Sequence, residues 1–167
     1  MARVLIVGCG CRGRALGSAL RESGHAVRGT SRTPAGLEKI AAAGLEPWAG
    51  DPDRIGTLTG ALDAVTVLCW LLGDASGDSA SVAALHTTRL ARMLEETVDT
   101  TVRGVVYEAA GSVDAALLQQ GAALVADAHE RWSIPVAVIA SEPAEHAAWL
   151  AAALDAVMRL LGAKAPM

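Results

Sequence analysis

Apolar and polar positions alternate along this chain in two rhythms. Short runs rich in Val, Ile and Leu occupy Arg3–Val7, Ala26–Thr30, Leu45–Trp48, Ala64–Leu71, Val102–Glu108 and Pro135–Ala140. Their β-branched content suits strands buried on both faces. Between them lie longer Ala-rich segments with apolar residues three to four apart: Arg12–Ser23, Pro34–Ala43, Ser79–Thr97, Asp114–Arg131 and Ala144–Leu161. That spacing predicts helices. Asp51–Leu62 reads as a loop with a short helix. Gly24, Gly44 and Gly162 stand where helices should stop, and Thr33-Pro34 reads as an N-cap followed by the first helical position. Strand alternating with helix implies parallel strands, right-handed crossovers and helices on both faces. The expected fold is therefore α/β, a doubly wound parallel sheet of about six strands in the order 3-2-1-4-5-6. A length of 167 residues fits one domain, 1–167. No linker or repeat interrupts it.

The first strand runs into Gly8-Cys9-Gly10-Cys11-Arg12-Gly13, which is G-x-G-x-x-G. Following a strand and opening a helix, this pattern points to a dinucleotide. Gly8 allows the tight turn, Gly10 lets backbone approach a pyrophosphate, and Gly13 lets helix and strand pack closely. The helix N-terminus then offers free N–H groups to the phosphates. The second strand ends at Gly29-Thr30-Ser31-Arg32. A carboxylate there would bind a ribose 2′-hydroxyl and favour NAD. In its place stand Ser31 and Arg32, a hydroxyl and a guanidinium suited to a 2′-phosphate. Arg12 is expected to approach the same phosphate. The chemistry favours NADP, with NAD the alternative.

These residues carry a resemblance. VLIVGCGCRGRAL, GHAVRGTSR and AGDPDRIGTLTGALDAVTVL resemble the N-terminal half of an extended-type short-chain dehydrogenase/reductase. The nearer likeness is to atypical, NAD-dependent epimerase/dehydratase-like members with G-x-G-x-x-G-R, over roughly residues 3–73. The resemblance implies a Rossmann fold. It also implies that Asp51 meets the adenine edge and that Leu68, Cys69 and Trp70 pass the nicotinamide ribose. Ala109 to Gly111 and Ser141 to Pro143 match the ends of the fifth and sixth strands. The family's chemistry uses a Tyr-x-x-x-Lys pair on the helix after the fifth strand, and a serine at that strand's end. Here the one tyrosine is Tyr107, inside the fifth strand, and the lysines are Lys39 and Lys164. The serine position falls near Gly111, with Ser112 beside it. Extended members also carry a C-terminal substrate domain, whereas this chain ends one helix after the sixth strand. Any substrate pocket is expected from strand-edge loops or from a second subunit.

Composition narrows the choices. Net charge is −4 and the 12 arginines are scattered, which argues against nucleic acid and anionic membranes as partners. No apolar run approaches the ~20 residues that span a bilayer. Met1-Ala-Arg leads straight into a strand without a signal-peptide pattern, so the cytoplasm is expected. Cys9, Cys11 and Cys69 show no disulfide framework and read as reduced thiols. The Cys-x-Cys pair has no nearby His, so no metal site is expected.

Candidate proton-moving groups are Glu108, Ser112, Glu142 and His146. Glu108 is unusual in an apolar strand and either points at the cleft or lies at an exposed edge. Ser112 also reads as an N-cap. Glu142 and His146 stand four apart at the start of the last helix, after the sixth strand. His86 shares a helix face with Val82 and Leu90 and reads as a core or interface histidine with one satisfied nitrogen. Cys69 reads as an inert buried thiol or a cleft thiol. Asp74 to Ser81 reads as a mobile lid or a plain loop capping the next helix. The last helix has a broad apolar face, expected to form a homodimer interface together with the Ser79–Thr97 helix; full burial in the monomer is the alternative.

Three functions fit: a dinucleotide-binding protein without chemistry of its own, a small oxidoreductase or epimerase-like enzyme with a non-standard proton donor, and a nucleotide-sensing regulatory subunit. Regulatory domains of the last kind usually carry an acid where Ser31 stands, so Gly29–Arg32 argues against it.

Overall fold

The computed structural model describes residues 1–162; Lys164 lies outside them. The elements follow the predicted order: β1 (Arg3–Val7), α1 (Cys11–Glu22), β2 (Ala26–Ser31), α2 (Pro34–Ala42), β3 (Glu46–Ala49), two 3-10 turns (Ile55–Thr57, Thr59–Leu62), β4 (Val67–Trp70), α3 (Ser79–Leu85), α4 (Thr88–Thr97), β5 (Gly104–Glu108), α5 (Ala115–Trp132), β6 (Val136–Ile139) and α6 (His146–Gly162). All strands pair parallel, in the order β3-β2-β1-β4-β5-β6. This is the expected doubly wound Rossmann sheet.

Side-chain alternation divides the core into two layers. Val4, Ile6, Val27, Cys69 and Val106 meet α1 and α6 on one face. Leu5, Val7, Leu68, Trp70, Val105 and Tyr107 meet the 3-10 turns, α4 and α5 on the other. Thr33 caps α2, accepting from the Gly36 N–H at 3.1 Å, with Pro34 at the first helical position. Trp149, Ala153, Ala156, Val157 and Leu160 of α6 are buried, while Met158 is exposed. α6 packs in one layer of the core and α4 in the other.

Two local expectations are corrected. Asp114, and not Ser112, caps α5, its carboxylate accepting from the Ala116 N–H at 2.8 Å. The predicted helix Ser79–Thr97 is two helices, broken at His86 and Thr87. Long-range hydrogen bonds cause the break. The Trp70 indole donates to the Leu85 carbonyl at 3.0 Å, taking the acceptor that a continuing helix would use. His86 turns into the core, where its Nε2 meets the Leu72 carbonyl at 3.0 Å and its Nδ1 meets the Tyr107 hydroxyl at 2.7 Å. A carbonyl only accepts, so Nε2 carries the proton and Nδ1 accepts from Tyr107. Both ring nitrogens are thus satisfied. Gly121 of α5 makes room for this pair, since a Cβ there would collide with the Tyr107 hydroxyl.

Burial lowers the His86 pKa below its ordinary 6.5, against a smaller opposing effect of the Leu72 carbonyl. The unfolded chain therefore binds a proton that the folded chain refuses. The stabilisation is complete above pH ~6.5 and declines as the pH falls further. Urea unfolding between about pH 7.5 and 5 should show a steeper loss of stability on acidification for the wild type than for His86→Gln, whose amide can donate and accept in the same places. Equal pH slopes would refute the assignment.

Candidate functional site

The strand order reverses between β1 and β4, which opens a crevice at the carboxyl edge of the sheet. Gly8 leaves β1 with φ +88°, and a Cβ there would collide with the Leu71 carbonyl at the end of β4. Only glycine makes this turn so close to the neighbouring strand. A Cβ on Gly13 would stand 3.0 Å from the Gly8 carbonyl, so helix and loop are in contact. A Cβ on Gly10 would meet nothing within 4 Å. Gly10 is also the N-cap of α1 and supplies no side-chain acceptor to its first turn. Open space beside uncapped N–H groups is what a phosphate needs.

A cavity of about 440 Å³ lies on the β2 side of the crevice. Gly8, Gly10, Thr30, Ser31 and Arg32 line it, and so do Arg14 and Lys39. Among the described residues, none of these three cations is in an ion pair. The Ser31 hydroxyl accepts from the Thr33 N–H at 3.2 Å and sits against Gly36, where a Cβ would collide with it. Sequence reasoning missed Arg14 and Lys39. Arg14 follows the last glycine of the motif, and Lys39 is one helical turn beyond Gly36, so both were open to a helical-wheel reading.

A second cavity of about 210 Å³ lies beside the first, lined by Gly8, Gly10, Cys11, Arg12, Gly13, Leu71, Leu72, Asp74 and Ala75. The expected contacts from β4 are corrected here. Leu68, Cys69 and Trp70 are fully buried and line neither cavity; the residues just after the strand do so instead. Burial pushes the Cys69 thiol far up, so it is an inert core group. Cys9 is pushed up to about 11 by burial and packs against Gly29, while Cys11 is exposed. Asp51 is corrected as well: its Oδ1 accepts from the Asp53 N–H at 2.9 Å, and Gly50, Pro52 and Asp53 line the larger cavity in its stead. The segment after β4 caps α3 through Asp78, which accepts from the Ser81 N–H, and its Asp74, Ala75 and Ser76 line the larger cavity together with Ser81, Val82 and Leu85 of α3.

Arg12 departs most from expectation. Its side chain turns away from β2 and crosses to β5. One terminal nitrogen donates to both oxygens of Glu108, at 3.0 and 3.1 Å, and the other donates to Asp74 at 2.8 Å. Glu108 is fully buried. Its Oε1 also accepts from the Gly73 N–H at 2.8 Å, and its Oε2 from the Trp149 indole at 2.7 Å. The Arg12 guanidinium lies over the Trp149 ring at 5.3 Å. Asp74 in turn accepts from the Ser112 N–H at 2.7 Å. Glu108 is thus neither at an exposed edge nor free in a cleft: every oxygen is taken by the protein itself. Glu142 and His146 are exposed and line neither cavity, and Glu142 precedes α6 rather than sharing its face with His146. Ser112 is exposed too. Tyr107 points into the opposite layer of the core, bonded to His86. Among the described residues no three His, Cys, Asp or Glu side chains converge as metal ligands, and no helix is long and apolar enough to cross a membrane.

The architecture has many solved counterparts. UDP-glucuronic acid 4-epimerase from Bacillus cereus in complex with NAD superposes with a TM-score of 0.66 at 17% identity, over 81% of this chain and 54% of that one. A short-chain dehydrogenase/reductase superfamily protein from Agrobacterium tumefaciens with bound NAD gives 0.67 at 21%, over 81% and 48%. This chain shares the Rossmann fold of these structures. Triphenylmethane reductase from Citrobacter sp., complexed with NADP(H), gives 0.62 at 17%, over 81% and 48%. The chain spans about half the length of these structures. No protein-family model matches it, and no curated protein matches it by sequence.

The Arg12–Glu108 pair can be tested by its asymmetry. Removing one partner strands a charge in the core, while removing both leaves an apolar site. Arg12→Leu should lower the unfolding free energy by roughly 3 kcal/mol, and Arg12→Leu with Glu108→Leu should lower it by clearly less. Urea unfolding of both variants checks this; a double variant that loses as much as Arg12→Leu, or more, would contradict it.

Proposed function

We propose that this chain is a nicotinamide-dinucleotide-binding protein that prefers NADP. One observation carries the reading: Arg14, Arg32 and Lys39 line one cavity with Ser31, beside an uncapped helix N-terminus and an open Gly10. Three unpaired cations at the end of β2 suit a 2′-phosphate, and no acid takes the residue that would hold a 2′-hydroxyl. Arg14 replaces Arg12 as the loop's contribution. The pyrophosphate is assigned to Gly10 and the first turn of α1.

NADP, when bound, supplies hydride chemistry at its nicotinamide. Among the described residues, no tyrosine or histidine lines either cavity, and Lys39 is the one lysine that does. Tyr107 is spent on His86, Glu108 on Arg12, and Lys39 belongs to the phosphate side. We therefore favour binding without a proton-transfer group of the chain's own over an oxidoreductase or epimerase-like activity.

Calorimetric titration with NADP⁺ and NAD tests the assignment. The wild type should bind NADP⁺ more tightly. Arg14→Ala and Arg32→Ala should each weaken NADP⁺ about tenfold and NAD less than about twofold. Arg32→Ala combined with Ser31→Asp should spare or improve NAD. Equal responses of the two cofactors would refute the 2′-phosphate assignment, and no binding at about millimolar nucleotide would refute dinucleotide binding itself.

A further inference from the structure

A dinucleotide on this fold starts at the end of β2, crosses the glycine loop, and ends between the carboxyl ends of β4 and β5. The two cavities follow the first part of that path. They are lined from the glycine loop and α1, the β2–α2 segment, the segments after β3 and β4, and α3, and no residue of β5, of β6 or of the segments after them lines either one. Where the path should continue, Arg12 spans from the first turn of α1 to Asp74 and Glu108.

Arg12 cannot easily swing aside to admit a ligand. It is the charged partner of a carboxylate with no solvent exposure, and releasing it would leave that charge buried and uncompensated. The Trp149 ring backs the guanidinium, and the Trp149 indole and the Gly73 N–H fix the carboxylate from two other sides. Gly73 and Gly111 hold the ends of β4 and β5 together as well, since a Cβ on either would collide with backbone of the other segment.

We propose that the chain reads only the 2′-phosphoadenosine half of its ligand, through the β2-side cavity, and leaves the nicotinamide in solvent. This rests on the NADP reading above and sharpens it. Oxidised and reduced cofactor become equivalent ligands, and so does 2′-phospho-ADP-ribose, which keeps the pyrophosphate and has no nicotinamide at all. The protein would then respond to the amount of 2′-phosphorylated adenosine nucleotide and not to its redox state.

Titration of the wild-type chain with NADP⁺, NADPH and 2′-phospho-ADP-ribose decides the matter. The three dissociation constants should agree within about fivefold. Any wider separation, of 2′-phospho-ADP-ribose from NADP⁺ or of NADP⁺ from NADPH, overturns this inference while leaving NADP binding intact. Failure of all three to bind overturns both. Saturation-transfer difference NMR on the NADP⁺ complex gives a second readout. Strong transfer to adenine protons with little to nicotinamide protons supports the proposal, and equal transfer to both rings contradicts it.

Discussion

The Glu108 carboxylate is the constraint around which the functional edge of this protein is arranged. It ends a central strand, has no contact with solvent, and is held by donors from three other parts of the chain: Arg12 of α1, Gly73 after β4, and Trp149 of α6. A buried ion pair of this kind contributes little net stability over an apolar substitute, because desolvation offsets most of the attraction. Its effect is geometric. The glycine loop, the segment after β4 and the last helix are all registered against one point.

That registration divides the carboxyl edge into two unlike halves. Toward β2, glycines keep backbone bare, and Arg14, Arg32 and Lys39 line a cavity without an ion-pair partner among the described residues. Toward β5, a guanidinium, two carboxylates and an indole satisfy one another and leave little for a ligand to bind. The superposed epimerase and reductase structures share the sheet, but with about one residue in six identical they speak to the fold and not to this edge. The second half of the edge must be understood from its own side chains.

The strands, the sheet order and the glycine loop were legible in the sequence because each depends on local pattern: alternation, apolar runs, and glycine at fixed offsets. Ser31 and Arg32 were legible for the same reason, as neighbours of a strand end. Arg12 was misread because its partner is 96 residues away; nothing in CRG tells which way the side chain turns. The signal that existed was Glu108 itself, a carboxylate in an apolar strand that had to find a cation. His86 broke a helix for a similarly distant reason, through bonds to Tyr107 and Leu72 that local periodicity cannot register. The β4 contacts slipped by a few residues because the strand ends at Trp70 with its side chains in the core, and the chain emerges at the crevice only beyond it.

The most direct measurement is a crystal structure of the protein with NADP⁺. The account predicts the 2′-phosphate against Arg14, Arg32 and Lys39, ordered density for the adenosine half only, and the Arg12–Glu108 contact unbroken. A nicotinamide ordered between the ends of β4 and β5, with Arg12 displaced from Glu108, would contradict it.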